Sequence, residues 1–325
     1  MAGCNIQMML ALCLFFMLVT LPPVYGWGTE GHSIICKIAQ SRLSDAAADA
    51  VKELLPKWAE NDLGSVCSWA DQVRFRYQWS PPLHYINTPE TCSYLYTRDC
   101  KDEDGVTGRC VAGAINNYTS QLLTYNSASN QSQYNLTESL LFLSHFMGDV
   151  HQPLHVGFAS DKGGNTIDVH WYTRKAVLHH VWDSNIIETA EERFYDSNLD
   201  SMVAAIQQNI TSEWADQVKR WESCSLNKTA CPDIYASEGI KAACDWAYKG
   251  VNQDSVLEDD YFLSRLPIVD WRLAQGGVRL AATLNRITEI SFISNDYFLS
   301  RLPIVDWRLA QGGVRLAATL NRIFG

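Results

Sequence analysis

Histidine and aspartate recur four residues apart at two places in this chain, and that spacing constrains its fold more than any other feature. In Ser144–His155 (SHFMGDVHQPLH), His145 and Asp149 are one helical turn apart, so a helix stacks both on one face. Pro153 ends that helix, and the residue before a proline is driven toward extended geometry, which lets His155 turn back toward the same space. In Leu178–Asp183 (LHHVWD), His179 and Asp183 repeat the pair on a second predicted helix. Imidazole nitrogen with carboxylate oxygen is the donor set of catalytic zinc. One such pair occurs by chance in many helices. Two pairs, a third histidine beyond a helix-ending proline, and further His and Asp upstream point to a metal cluster on a buried helix.

The upstream candidates are Trp27 and His32, Asp71 in WADQVR, and His84 in LHYIN. Five histidines (His32, His84, His145, His155, His179) and three aspartates (Asp71, Asp149, Asp183) could fill three zinc sites if the Trp27 amine and carbonyl join them. His151 lies two residues from Asp149, off the ligand face, and reads as structural. His180 and His170 also read as bystanders.

The first 26 residues contain no Asp, Glu, Lys or Arg. Met8–Thr20 is an apolar run too short to span a membrane stably, followed by Pro22, Pro23, Val24 and Gly26. That pattern reads as a secretory leader cut before Trp27, with a membrane anchor as the competing reading. Cys4 and Cys13 would leave with it. The even remainder, Cys36, Cys67, Cys92, Cys100, Cys110, Cys224, Cys231 and Cys244, reads as four disulfides in a secreted chain, without zinc-type CxxC spacing. Sequons at Asn117, Asn130, Asn135, Asn209 and Asn227 are glycosylation candidates. The net charge of −10 argues against a nucleic-acid binder unless bound metal adds charge that a residue count omits.

Helical patterns are predicted at Trp27–Gln40, Ser44–Leu55 with Ser44 as N-cap, Val66–Arg76, Val111–Tyr125, Thr137–Gln152, His179–Thr189, Asp200–Ser223 and Tyr235–Tyr248. Pro81–Pro89 is expected to be extended or looped. Thr91–Cys110 reads as a stapled surface loop, Asn126–Asn135 as a polar loop and Ser160–Thr166 as a Gly-containing turn. Ile167–Thr173 could be one strand of a short hairpin. Strands and helices do not alternate, so the expected fold is an all-α single domain at 27–287.

Asp260–Ile287 recurs without a change at Asp296–Ile323. The unit is an amphipathic helix, with Pro267 near its first turn and Val269, Leu273, Leu280, Leu284 and Ile287 on one face. A solenoid needs more repeats than two. Two identical copies compete for one groove. One copy therefore completes the domain, and the other, within 288–325, is a loosely attached tail. Connection length favours docking of the first.

WGxxGH at the expected mature start, WADQVR, LHYIN, HFMGDVHQPLH, GGN and LHHVWD, in that order, resemble the zinc-dependent nucleases typified by nuclease S-one and nuclease P-one, most closely their plant bifunctional members. The resemblance spans about Trp27 to Ile287. It implies a mostly helical fold shared with zinc phospholipase C. It also implies three zinc ions and hydrolysis of single-stranded DNA and RNA to 5′-mononucleotides, with 3′-nucleotidase activity on 3′-nucleotides. One zinc would take Asp71, His84, His145 and Asp149. A second would take His155, His179 and Asp183, and the third the Trp27 amine and carbonyl, His32 and a bridging Asp149. Zinc ions about 3.5–4 Å apart can hold a bridging hydroxide that attacks phosphorus in line.

Asp71, Arg74 and Asp149 are the catalytic candidates, Arg74 as a donor fork for charge on the phosphorane. Tyr85 and Asn87 resemble the family's base-stacking and base-edge residues, with Asn165 of GGN a further contributor. The family often has Asp where Asn87 stands. Sequence proximity and the resemblance together imply disulfides Cys36–Cys67, Cys92–Cys244, Cys100–Cys110 and Cys224–Cys231. The expected protein is a monomer, secreted or vacuolar, with no membrane attachment once the leader is removed. The alternatives are a zinc phospholipase C-like phosphoesterase, or a non-enzymatic zinc glycoprotein whose cleft the duplicated tail blocks.

Overall fold

Trp27 is fully buried, and helix α1 (Thr29–Gln40) behind it turns His32, Ile34, Ile35, Cys36 and Ile38 inward. The computed structural model describes residues 27–125, 133–224 and 228–324, except the side chains of 291–299. The expected leader and the sequons Asn130 and Asn227 lie outside the described residues. Helix α2 (Asp45–Leu54) starts as expected at Ser44, whose hydroxyl accepts the Ala47 N–H at 3.3 Å.

The helix expected at Val66–Arg76 shrinks to Trp69–Gln72. Cys67 is tied to Cys36 of α1, and the backbone leaves helical geometry at Val73 (φ −101°, ψ 2°), so tertiary ties override a weak local pattern. Of the segment Pro81–Pro89, expected to be extended or looped, Pro81–His84 forms a 3-10 turn and extended backbone begins at Tyr85. Proline's fixed φ suits the first turn of a helix, where its missing N–H costs nothing. The stapled loop holds a short helix, Tyr96–Asp99, before the Cys100–Cys110 bridge.

Helices α3 (Val111–Leu122) and α4 (Leu136–Asp149) pack side by side. From Ser139 to Asp149 every residue of α4 is buried, which suits a helix that is apolar on all sides. Tyr118, Phe142 and Phe146 stack along the α3–α4 seam, with centroids 4.9–5.9 Å apart. Gln152 is extended (φ −78°, ψ 118°) before Pro153, and Pro153–Val156 turns as a 3-10 helix carrying His155.

The hairpin is β1 (Asp168–Trp171) with β2 (Arg174–Val177). A third strand that the sequence reading missed, β3 (Ser255–Leu257), lies parallel to β1. Three residues are too few to show alternation. After β2, Leu178–His180 passes into a π-helical turn, Val181–Asn185, and then into α5 (Ile186–Phe194). The single helix expected at Asp200–Ser223 is two, α6 (Leu199–Thr211) and α7 (Ala215–Glu222), because the Trp214 N–H turns back onto the Asn209 carbonyl at 2.8 Å. Helix α8 (Pro232–Ala242) ends in a second π turn, Ala243–Ala247.

Helix α9 (Asp259–Phe324) runs unbroken through both copies of the repeat. Pro267 lies inside it and not near its first turn. The helix starts at Asp259, and Leu263, whose carbonyl loses its partner, lies on the exposed side. In the first copy Val269, Leu273, Leu280, Leu284 and Ile287 are buried. The second copy is exposed throughout its described side chains, apart from the partly covered Gln311. Asp259 helps fix the first copy. It accepts from Arg193 and Tyr172, both at 2.6 Å, whereas the second copy is preceded by Asn295. The four disulfides are Cys36–Cys67, Cys92–Cys244, Cys100–Cys110 and Cys224–Cys231, the pairing the resemblance implied.

Candidate metal centre

The centre assembles on α4. Its last turns aim His145 and Asp149 at α1, at the Asp71 helix, and at the two turns carrying His84 and His155. Donor atoms within 4.8 Å of one another form three groups: His32, His145 and Asp149; Asp71, His84 and His145; and His155, His179 and Asp183. The Asp149 oxygens face different ways. Oδ2 is 3.0 Å from His84 Nδ1 and 3.1 Å from His145 Nε2, whereas Oδ1 is 3.3 Å from His32 Nε2. Asp71 Oδ1 lies 3.6 Å from both His84 Nδ1 and His145 Nε2. In the third group His179 Nε2 is 3.2 Å and His155 Nε2 is 3.9 Å from Asp183.

These side chains are almost wholly withdrawn from water. Both ring nitrogens of His32, His84 Nε2, Asp71 Oδ1 and Asp149 Oδ1 are buried without a hydrogen-bond partner among the described residues. Buried polar atoms are otherwise satisfied as a rule, so orphaned imidazole and carboxylate donors converging on one space fit a cation cluster. The charge balance agrees. Burial, with His145 close by, lowers His32 to about 4, and burial also lowers His84, so both rings are in the neutral form that binds metal. His145 rises to about 9 against the pull of burial, because Asp149 and Asp71 flank it. Asp149 falls well below the carboxylate range despite its burial, held there by His145 and His155. Asp183 rises well above that range through burial, which outweighs the amide of Gln152. The carboxylates here exceed the positive charge available to them.

Hydrogen bonds to the backbone orient these rings. His145, His155 and His179 donate Nδ1–H to the carbonyls of Cys67 (2.8 Å), His84 (2.7 Å) and Gly163 (2.6 Å). A carbonyl only accepts, so Nδ1–H is spent on the backbone and Nε2 is the nitrogen turned toward the cluster. The Gln152 amide donates to Asp183. Gly148 allows His32 to reach the cluster, since a Cβ there would stand 2.6 Å from His32 Nδ1; the His32 and His145 rings stack at 3.9 Å. The sequence reading missed Cys67, Gly148, Gln152 and Gly163 in these roles. Backbone carbonyls leave no trace in a sequence, and only Gln152, between His151 and Pro153, offered a side-chain signal.

Trp27 is anchored by its neighbour, because the Gly28 N–H bonds to the Asp183 carbonyl at 2.8 Å. Arg74 follows the Asp71 helix, with Nε 3.8 Å from Asp71 Oδ1, and it is near enough to Asp183 to oppose the rise of that carboxyl. Tyr85 is half-buried and Asn87 exposed on the extended strand after His84. Burial, with Glu103 and Asp102 nearby, raises the Tyr85 phenol. Asn165 donates to the Lys162 carbonyl at 2.8 Å in the turn whose Gly163 orients His179. His151 points away from the centre, toward Arg279. His180 is exposed, and His170 lies in β1. Of the described sequons, Asn117 and Asn135 are exposed and Asn209 is half-buried.

Residues 27–289 match the family model described as S1/P1 Nuclease. The chain belongs to the S1/P1 nuclease family. The match ends just past the first copy of the repeat. Among relatives, Endonuclease 2 of Arabidopsis thaliana is 73% identical over 84% of this chain and 94% of its own length. Nuclease S1 of Aspergillus oryzae is 30% identical, covering 81% and 92%, and Nuclease P1 of Penicillium citrinum 32%, covering 80% and 97%. The six motifs that suggested the family lie within the matched region. Among the described residues no helix is long and apolar enough to cross a membrane.

Proposed function

We propose that the protein is a secreted or vacuolar zinc-dependent endonuclease that cleaves single-stranded DNA and RNA to 5′-mononucleotides and acts on 3′-nucleotides as a monomer. The observation that carries this is Asp149, whose Oδ2 faces His84 and His145 and whose Oδ1 faces His32, in a buried cluster where several imidazole and carboxylate atoms lack a hydrogen-bond partner. Asp71, His84, His145 and Asp149 would hold one zinc, and His155, His179 and Asp183 a second. His32, Asp149 and the Trp27 amine and carbonyl would hold the third. Bound zinc supplies Lewis-acid stabilisation of phosphoryl charge and makes water acidic enough to attack near neutral pH. Arg74 adds a fork of donors for the charge that develops on phosphorus. Tyr85 offers a stacking face that tolerates any base, with Asn87 beside it for a base edge and Asn165 as a further polar contact.

The test is zinc content together with hydrolysis of single-stranded DNA at mildly acidic pH, on protein beginning at Trp27. Close to three zinc ions per chain with release of 5′-nucleotides supports the reading. Zinc without nuclease activity favours a phospholipase-like specificity or an obstructed cleft. The Trp27 amine exists only after leader removal, so a variant with one extra residue before Trp27 should lose one zinc and nearly all activity. Full activity with three zinc ions in that variant would remove Trp27 from the ligand set.

A further inference from the structure

The metal-bearing helix does not end in solvent. The buried Arg272 of α9 holds the carbonyls at its end, and the buried Arg279 holds the His151 ring. Arg272 donates Nε–H to the His151 carbonyl at 3.0 Å and Nη2–H to the Val150 carbonyl at 3.3 Å. Its remaining donors reach Gln275 (2.8 Å) and Glu238 of α8 (3.3 Å). Arg279 grips the same Glu238 with two donors, at 2.6 and 2.9 Å, and its Nη1 stands 3.0 Å from His151 Nε2. His151 Nδ1 donates to the Met147 carbonyl at 2.7 Å, so its Nε2 accepts from Arg279. Both arginines are only 3% exposed.

The two residues held this way, Val150 and His151, separate ligand Asp149 from Gln152. Gln152 cannot turn over, because its Oε1 accepts the Leu154 N–H at 2.5 Å, leaving its NH2 aimed at Asp183. A continuous path therefore runs from Glu238 through Arg272 to the Val150 and His151 carbonyls, with Arg279 holding the His151 ring, and then through Gln152 to Asp183. Orphaned helix-end carbonyls are ordinarily met by water or a cap. Here a bidentate, charge-assisted clamp meets them and ties the helix end to α8 and α9.

We infer that Arg272 and Arg279 are positioning residues for the metal centre, setting the angle at which Gln152 presents Asp183 to the His155–His179–Asp183 group. Arg272 acts through the Val150 and His151 carbonyls and Arg279 through the His151 ring, and neither is itself one of the converging donors. The inference rests on the proposed zinc centre.

The experiment uses the full-length chain beginning at Trp27. Arg272→Lys keeps the charge but cannot span two carbonyls and Glu238 together. It should stay folded by circular dichroism while one zinc per chain weakens by about tenfold to a hundredfold, the usual loss when an outer-sphere partner is removed. The visible spectrum of the Co2+-loaded protein should change, and kcat should fall more than KM rises. Gln152→Ala should reproduce the spectral change, and the double variant should go no further, because both act on one path. Should Arg272→Lys fail to fold, Glu238→Gln carries the same test from the outer end of the clamp. A folded variant with unchanged zinc affinity and Co2+ spectrum overturns the inference, as do effects of Arg272→Lys and Gln152→Ala that add independently. Zinc-loaded wild-type protein that leaves DNA intact defeats the nuclease reading alone. Wild-type protein that binds no zinc defeats both.

Discussion

The 28 residues Asp260–Ile287 and Asp296–Ile323 are identical, continuous in one helix, and opposite in fate. Their offset is about ten whole helical turns, so both copies present the same face in the same direction, roughly 54 Å apart. Leu273 is fully buried and its twin Leu309 is 70% exposed; Arg279 is clamped on Glu238, whereas the twin arginine, Arg315, is exposed. The first copy stands against α1, α2, α4, α5 and α7, and the second against solvent. Amphipathicity states what a helix can bury, and only a groove decides whether it does. The copies are therefore an internal control, in which each substitution can be made twice in one molecule.

The largest contrast is removal. A chain ending at Thr288 should keep its zinc content, its activity and its melting temperature to within a few degrees. A chain ending at Glu258 should fail to fold, as read by circular dichroism and zinc content. Loss of activity on removing the tail alone would give the second copy a role that this comparison denies it.

Arg279→Met comes next. The change takes two donors from Glu238, which keeps Arg272, and the donor that meets the His151 ring, at a cost of about 1–3 kcal/mol in denaturant unfolding. Arg315→Met should stay within about 0.5 kcal/mol of the parent. Gly277→Ala and Gly313→Ala should differ in sign. A Cβ at Gly277 would stand 2.5 Å from the Ile38 side chain, and overpacking of that kind costs about 1–3 kcal/mol. A Cβ at Gly313 meets nothing within 4 Å, so alanine should raise the helicity of the tail by about its 1 kcal/mol propensity advantage, seen as slower local hydrogen exchange. Equal effects at the two glycines would mean that α9 is not seated on α1 as described.

The smallest contrast is in pH dependence. Burial raises Asp270 to about 7. A carboxyl whose folded pKa lies above its unfolded value of about 3.9 favours the fold while protonated. Its contribution is complete below about pH 4 and is lost as pH rises to about 7. Asp270→Asn should flatten that decline in thermal-unfolding profiles. A profile that Asp270→Asn does not change would place Asp270 in water.

The histidines and aspartates were legible in the sequence because i,i+4 spacing and a helix-ending proline are local geometry. His145 with Asp149, and His155 beyond Pro153, stand where that geometry puts them. The helix expected across Val66–Arg76 and the long one at Asp200–Ser223 were not legible. The first was cut short by tertiary ties at Cys67 and Asp71, and the second by the Trp214–Asn209 turn. The outer-sphere partners were hidden for a different reason. The Cys67, His84 and Gly163 carbonyls act through backbone that every residue possesses, and Gly148 matters only because His32 from α1 lies against it.

The sequence by itself determined the family, the donor chemistry and the helical class, because these follow from residue type and short-range spacing. Only the tertiary structure decided which of two identical helices enters the core. The docked copy has Asp259 paired with Arg193 and Tyr172 and follows directly from β3, whereas the other begins after Asn295, a turn-by-turn replica with no groove of its own. A burial preference is written in the side chains, but the surface that satisfies it belongs to α1, α2, α4, α5 and α7, and among the described residues only the first copy meets it.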